Sequence, residues 1–269
     1  MDSMQVYESM DIGTAKPTAD ERRRVRHHLL DLVAPSEDFT VSMFQDHLDD
    51  ALRSIAKAKR CALLVGGTGL YHRAAVDGLD LAGTWPDIRE RLEREAADHG
   101  TEVLYGRLQE QDARAAEKME PTNTRRIVRA LEVIEGSGTL FSSRGEGLDA
   151  YSATEVHQVG LRWPRHLLAD RIEHRVHSMV AQGWLAEVAA LQVSGLSRTA
   201  AQALGYKEFI DHLNGGCSLD AAVAQTITRT RQFAVRQDRW FRRDPRICWV
   251  DIESDPVKEV APVVERLLP

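Results

Sequence analysis

Apolar residues recur at three- and four-residue intervals through most of the chain. Phe44, Leu48, Leu52 and Ile55 mark one helix over Ser42 to Lys59, with Ser42 placed as its N-cap. The same spacing predicts helices over 86–98, 101–117, 123–136, 166–182, 184–193, 199–213 and 218–241. Three short runs instead have strand character. Arg60 to Val65 is a compact apolar run ending in Gly66-Gly67, which suits a buried strand of a parallel sheet. Val156 to Trp163, closed by Pro164, and Ile247 to Ile252 are the other two. This pattern predicts an α/β core whose helical excursions form a second lobe, with a cleft between lobes for a bulky substrate. Ligands of such sheets bind at the carboxyl ends of the strands. The Gly- and Ser-rich stretch 136–147 is expected to be a linker.

Composition changes this picture little. At 269 residues, 43% of them hydrophobic, the chain can bury a full core. Its apolar runs are too short to span a bilayer and no basic-then-apolar leader is evident, so no membrane association and a cytoplasmic location are expected. Cys61, Cys217 and Cys248 are scattered and read as reduced structural thiols; the ten histidines show no metal-ligand spacing, and no protein metal site is expected. A net charge of -6 argues against a uniformly basic nucleic-acid binder. The charge is nevertheless segregated. Acidic residues collect in 89–120 and after Asp251, whereas Arg229, Arg231, Arg236, Arg239, Arg242, Arg243 and Arg246 form a basic stretch.

Candidate chemistry lies in motifs. Asp2-Ser3-Met4-Gln5-Val6-Tyr7, Met10-Asp-Ile-Gly-Thr-Ala-Lys-Pro17 and Gly66-Gly67-Thr68-Gly69-Leu70-Tyr71 follow one another. The glycine turn after a strand and before a helix allows close backbone approach, with amides facing an anion. By themselves, Asp2 reads as a solvated acid and the turn as an ordinary strand-to-helix connection. In Thr124 to Glu132, Arg125 and Arg129 lie four apart and Arg126 lies three from Arg129, a face for phosphates or a solvated basic helix paired with Glu132. Arg171 and Arg175 are also four apart. In Thr228 to Arg243, the residues Arg229, Gln232, Arg236, Arg239 and Arg243 fall on one side, a stripe able to follow an RNA backbone.

With Ala203-Leu-Gly-Tyr-Lys-Glu208 added, these motifs make the chain resemble the tRNA dimethylallyltransferase family nearly end to end. The resemblance implies a P-loop-NTPase-like parallel sheet core with a helical insertion lobe. It implies transfer of a dimethylallyl group from dimethylallyl diphosphate to the N6 amine of the adenosine beside the anticodon of tRNA, by a monomer using Mg2+. It assigns Asp2 as catalytic base for the amine proton and Thr68 to the channel admitting the base. Ser3, Met4 and Gln5 would touch the substrate, and Gln5 can offer both donor and acceptor to an adenine edge. Arg175 would clamp the departing diphosphate, its other reading being an ion pair with Glu173 or Asp170. Arg125, Arg126, Ile127, Val128, Arg129, Arg229, Arg236 and Arg239 would contact tRNA; Lys207 reads equally as a solvated lysine.

The sequence departs from the family pattern in three places. Pro121-Thr122-Asn123 replaces Pro-Asn-Asp, though Thr and Asn still cap a helix. Val235 stands where the family carries a basic residue. The family's opening strand and G-x-x-x-x-G-K-[ST] loop, which supplies the magnesium-binding hydroxyl, do not occur in these 269 residues. The expectation is that the reading frame starts further upstream, and that the chain without that strand exposes apolar edges and is unstable alone. Two alternatives stand beside active prenyl transfer: a tRNA-binding fragment without chemistry, and a related transferase of free adenine nucleotides, against which the arginine blocks speak. The expected domains are an α/β core of 1–83, 151–180 and 238–269, with mainly helical, tRNA-binding regions at 84–150 and 181–237.

Overall fold

The structure is a computed structural model describing residues 1–144, 148 and 150–268. Its helices are α1 (Ala19–Arg24), α2 (Val41–Lys57), α3 (Gly69–Asp77), α4 (Pro86–His99), α5 (Thr101–Gln111), α6 (Ala113–Ala116), α7 (Thr124–Ser137), α8 (Arg165–Ala181), α9 (Trp184–Ser194), α10 (Tyr206–Leu213), α11 (Leu219–Phe241) and α12 (Pro256–Glu265). The strands are β1 (Gln158–Arg162) and β2 (Ile247–Asp251). They pair in parallel from Gln158 opposite Ile247 to Arg162 opposite Asp251. The fold is thus mixed α/β, with a small parallel sheet and many helices.

Most expected elements are present with shifted ends, and each shift has a local cause. α2 starts after Thr40, not Ser42, because Thr40 has extended backbone angles and its hydroxyl accepts the Met43 N–H at 3.2 Å. The expected helix over 101–117 breaks at Asp112, whose carboxylate accepts the N–H of Ala115 at 3.1 Å and of Ser142 at 2.7 Å. The expected helix over 199–213 yields only a short 3-10 turn and α10. Between them Gly205 has a φ of 86°, and a Cβ there would run into the Trp184 indole. Of the expected linker 136–147, residues 136–137 end α7, Gly138 caps it in the left-handed region, and 145–147 lie outside the described residues.

The run 60–65 is the main correction. It forms no strand among the described residues, and Leu63 and Val65 are each 70% exposed. Exposed and half-buried positions alternate from Cys61 to Val65, as an extended chain requires. A strand also needs a ladder of partners; the Met1 ammonium reaches the Val65 carbonyl, but no ladder forms here among the described residues.

The chain divides into two compact units, Met1–Gly78 with Tyr151–Pro269 and Leu79–Ala150. Residues 181–237 belong to the first. In that unit Phe44 of α2 stacks on Tyr71 of α3 with ring centroids 4.0 Å apart. Trp184 meets Phe209 edge to face at 4.8 Å, and both are buried. The second unit has its own core, in which Leu92, Leu104, Leu108, Ile127 and Leu131 are fully buried.

Candidate active site

The first and third motifs meet in space. The backbone N–H of Ser3 donates to Thr68 Oγ1 at 3.1 Å, and the Thr68 N–H approaches the Met1 carbonyl at 3.5 Å. The glycines allow this approach: a Cβ at Gly66 would collide with Met1, one at Gly67 with Gln237 and one at Gly69 with the Trp240 indole. Gln237 of α11 completes the join by donating to the Gly67 carbonyl at 2.9 Å. Asp2 is half-buried, and its Oδ1 accepts the N–H of Met4 at 2.8 Å and of Gln5 at 3.3 Å. Those bonds fix its carboxylate beside the turn.

The second motif joins this pair to a cavity. Gln5 donates its side-chain amide to the carbonyls of Thr14 at 2.9 Å and Ala15 at 3.1 Å. The same loop lines a cavity of about 850 Å³ together with Arg22, Asp31 and, from α8, His174 and Arg175. Lys16 is buried and pairs with Asp11 at 2.9 Å and with Asp31, which also pairs with Arg22 at 2.8 Å. Burial acts against the Asp31 carboxylate, but Lys16 and Arg22 outweigh it and hold its pKa below the usual value. Arg175 is exposed on the cavity wall. Glu173, one partner suggested for it, pairs instead with Arg231 at 2.7 Å. No contact among the described residues joins Arg175 to Asp2 or Thr68; the 10–17 loop lies between them, touching Gln5 and lining the cavity.

The arginine blocks separate into paired and open residues. Arg125 and Arg126 are exposed on α7, whose start is capped by Asn123 accepting the Arg126 N–H at 3.2 Å. Arg129 turns inward, meeting Glu132 at 3.0 Å and the Ala82 carbonyl at 2.8 Å. Ile127 and Val128 are buried in the core of the second unit, so their side chains anchor the helix and cannot meet RNA. On α11, Arg229 pairs with buried Glu208, while Arg236 and Arg239 are exposed and Arg236 lies 5.7 Å over Phe233. Lys207 is exposed and reaches Gln202 at 3.4 Å.

Sequence reasoning missed Glu187. Its carboxylate accepts the backbone N–H groups of Asp11 at 3.0 Å, Ile12 at 2.7 Å and Gly13 at 3.2 Å, and the Tyr206 hydroxyl at 2.6 Å. Burial first and Glu187 second push the Tyr206 pKa far up, so this hydroxyl stays a donor. The signal was one acid in the otherwise uncharged helix Trp184–Ser194. Gln237 carried no such signal.

A family model described as IPP transferase matches residues 5–244. A tRNA dimethylallyltransferase of Pseudarthrobacter chlorophenolicus is 46% identical over 252 residues, 93% of this chain and 83% of the relative. One from Thermobifida fusca is 46% identical over 94% of this chain and 79% of the relative. Among solved structures, a tRNA isopentenylpyrophosphate transferase from Bacillus halodurans has a TM-score of 0.69 at 36% identity, covering 99% of this chain and 86% of that one. A eukaryotic dimethylallyltransferase acting on tRNA shares the fold, with a TM-score of 0.77 at 24% identity over 98% of this chain and 69% of its own.

Proposed function

The chain belongs to the IPP transferase family, and from that premise we propose that it transfers a dimethylallyl group from dimethylallyl diphosphate to the N6 amine of the tRNA adenosine 3′-adjacent to the anticodon. The observation that carries the reading is the join between the first motif and the glycine turn, Ser3 N–H on Thr68 with the Asp2 carboxylate fixed beside it. An exocyclic adenine amine is a weak nucleophile that must shed a proton as its bond to carbon forms. In the proposed step N6 attacks the allylic C1, the C1–O bond to diphosphate breaks, and the N6 proton passes to Asp2. Arg175 neutralises charge on the departing diphosphate from the cavity wall.

Exposed Arg125, Arg126, Arg236 and Arg239 supply the RNA backbone with cations. Magnesium belongs to diphosphate chemistry of this kind. Such an ion is held mainly by phosphate oxygens and water with one or two protein ligands, and among the described residues no group of three or more His, Cys, Asp or Glu side chains could cage it without the substrate. We place the enzyme in the cytoplasm as a monomer; no described helix is long and apolar enough to cross a membrane.

The test is incubation of this chain, and of a form extended upstream, with dimethylallyl diphosphate and either unmodified tRNA or free adenosine monophosphate. Nucleoside mass reports transfer. Product on tRNA alone supports the reading, and product on the free nucleotide alone overturns it in favour of a nucleotide transferase. Transfer by the extended form only would assign the chemistry to the longer protein and leave this chain as its tRNA-binding part. Asp2→Asn in the active form should slow transfer by about 10²–10⁴-fold while tRNA affinity holds; unchanged turnover would remove Asp2 from the role of base.

A further inference from the structure

The loop between the first motif and the Arg175 cavity is built as a single capped turn. Ala15 N–H bonds to the Ile12 carbonyl and Lys16 N–H to the Asp11 carbonyl, each at 3.0 Å, with Ala15 in the left-handed region at φ 50°. Such a turn leaves donors at its start and acceptors at its end. The donors, on Asp11, Ile12 and Gly13, all converge on the carboxylate of Glu187. Consecutive amides of this kind form an anion-binding concavity, and its anion here is a side chain of the same protein. The acceptors, the carbonyls of Thr14 and Ala15, both take the Gln5 amide.

We infer that Glu187 is a positioning residue that orients Gln5 through this turn. Only an NH2 group can serve two carbonyl oxygens, so the Gln5 amide can face one way only. Both of its hydrogens are committed, and what Gln5 has left to offer a ligand is the acceptor Oε1. The donor-and-acceptor role open to Gln5 in the sequence is therefore narrowed to acceptor alone. An acceptor carried by the residue whose backbone N–H bonds the Asp2 carboxylate selects for an amine, the donor that adenine carries at its 6-position. Glu187 is itself fixed at the other end by the Tyr206 hydroxyl, and the turn is held by Gly13, which packs so closely against Trp184 that a Cβ there would collide. The inference rests on the tRNA prenylation reading, because that reading places the purine amine at Asp2.

The test measures binding of an anticodon stem-loop RNA to the full chain with either adenosine or purine riboside, which lacks the 6-amine, at the acceptor position. The wild-type chain should prefer adenosine. Gln5→Met and Glu187→Gln should each cut that preference about tenfold, the worth of one hydrogen bond to a half-buried acceptor, in chains that still melt cooperatively. The double variant should fall no further than either single one, since both break the same relay. Tyr206→Phe, a milder change that keeps the aromatic ring, should reduce the preference partway and decides the matter if Glu187→Gln fails to fold.

Full preference in a folded Glu187→Gln chain, or losses that add in the double variant, would overturn the relay. A wild-type chain indifferent to the 6-amine would instead overturn the prenylation reading. Hydrogen exchange of the Gln5 side-chain amide, read by NMR, then still judges the turn: exchange that is slow in wild type and faster in Glu187→Gln supports it, and equal exchange refutes it.

Discussion

Arg129 and Glu132 illustrate how one residue pattern serves two purposes. The spacing on α7 suits phosphate contact, yet Glu132 is fully buried and gathers Arg129 at 3.0 Å, Arg89 Nε at 3.0 Å and the Trp85 N–H at 2.8 Å. Burial works against its charge, but the Trp85 amide and the two guanidiniums outweigh that and hold its pKa below the usual 4.5. A depressed carboxylate pKa contributes stability above the unfolded value and loses it as pH falls below, so the second unit should weaken on acidification below about pH 4.5. Glu132→Gln should remove that acid-side dependence. It should also destabilise by about 3–5 kcal/mol, because two arginines are left without their buried partner. Thermal melts of both proteins across pH 3–7 check both statements; identical pH slopes would sink the assignment. Arg129, by the same logic, is a structural residue first.

At the level of the helix, α11 supplies the contrast. Its spacing correctly marks a basic side, and Arg236 and Arg239 stand open on it, but Arg229 is drawn to buried Glu208. Each open arginine that meets a phosphate releases counterions. Neutralising Arg236 or Arg239 should therefore lower the slope of log affinity against log salt by about one each. Arg229→Gln should leave the slope alone and cost stability instead, which titrations at several salt concentrations distinguish. Periodicity could locate the helices because burial of one face leaves a three-and-four rhythm; it could not foretell which arginine finds an acid, since Glu208 is 21 residues away from Arg229. The same limit applies at the site. Motifs pointed to Asp2, Thr68 and Arg175 as candidates, whereas Glu187 reaches over 174 residues of sequence to Gly13 and left only an isolated acid as its trace.

For the molecule as a whole, the apolar run before the glycine turn decides behaviour in solution. A run with the composition of a buried strand has Leu63 and Val65 at 70% exposure, and its backbone has no described ladder partner. Exposed chain of this kind leaves N–H and C=O groups outside any described ladder beside apolar side chains, which templates pairing between molecules. The proposed monomer should accordingly self-associate as its concentration rises. Leu63→Lys with Val65→Thr places a charge and a hydroxyl where nothing is packed, a change at exposed positions that alters folded stability by only about ±0.5 kcal/mol. Light scattering should then fall toward the monomer value while the melting temperature stays put. If wild type is already monodisperse across concentration and melts cooperatively, the exposed run is no liability and the chain's core is sufficient by itself. If the double variant both associates and melts early, the run is needed inside the fold, and its burial by additional chain would be the next thing to seek.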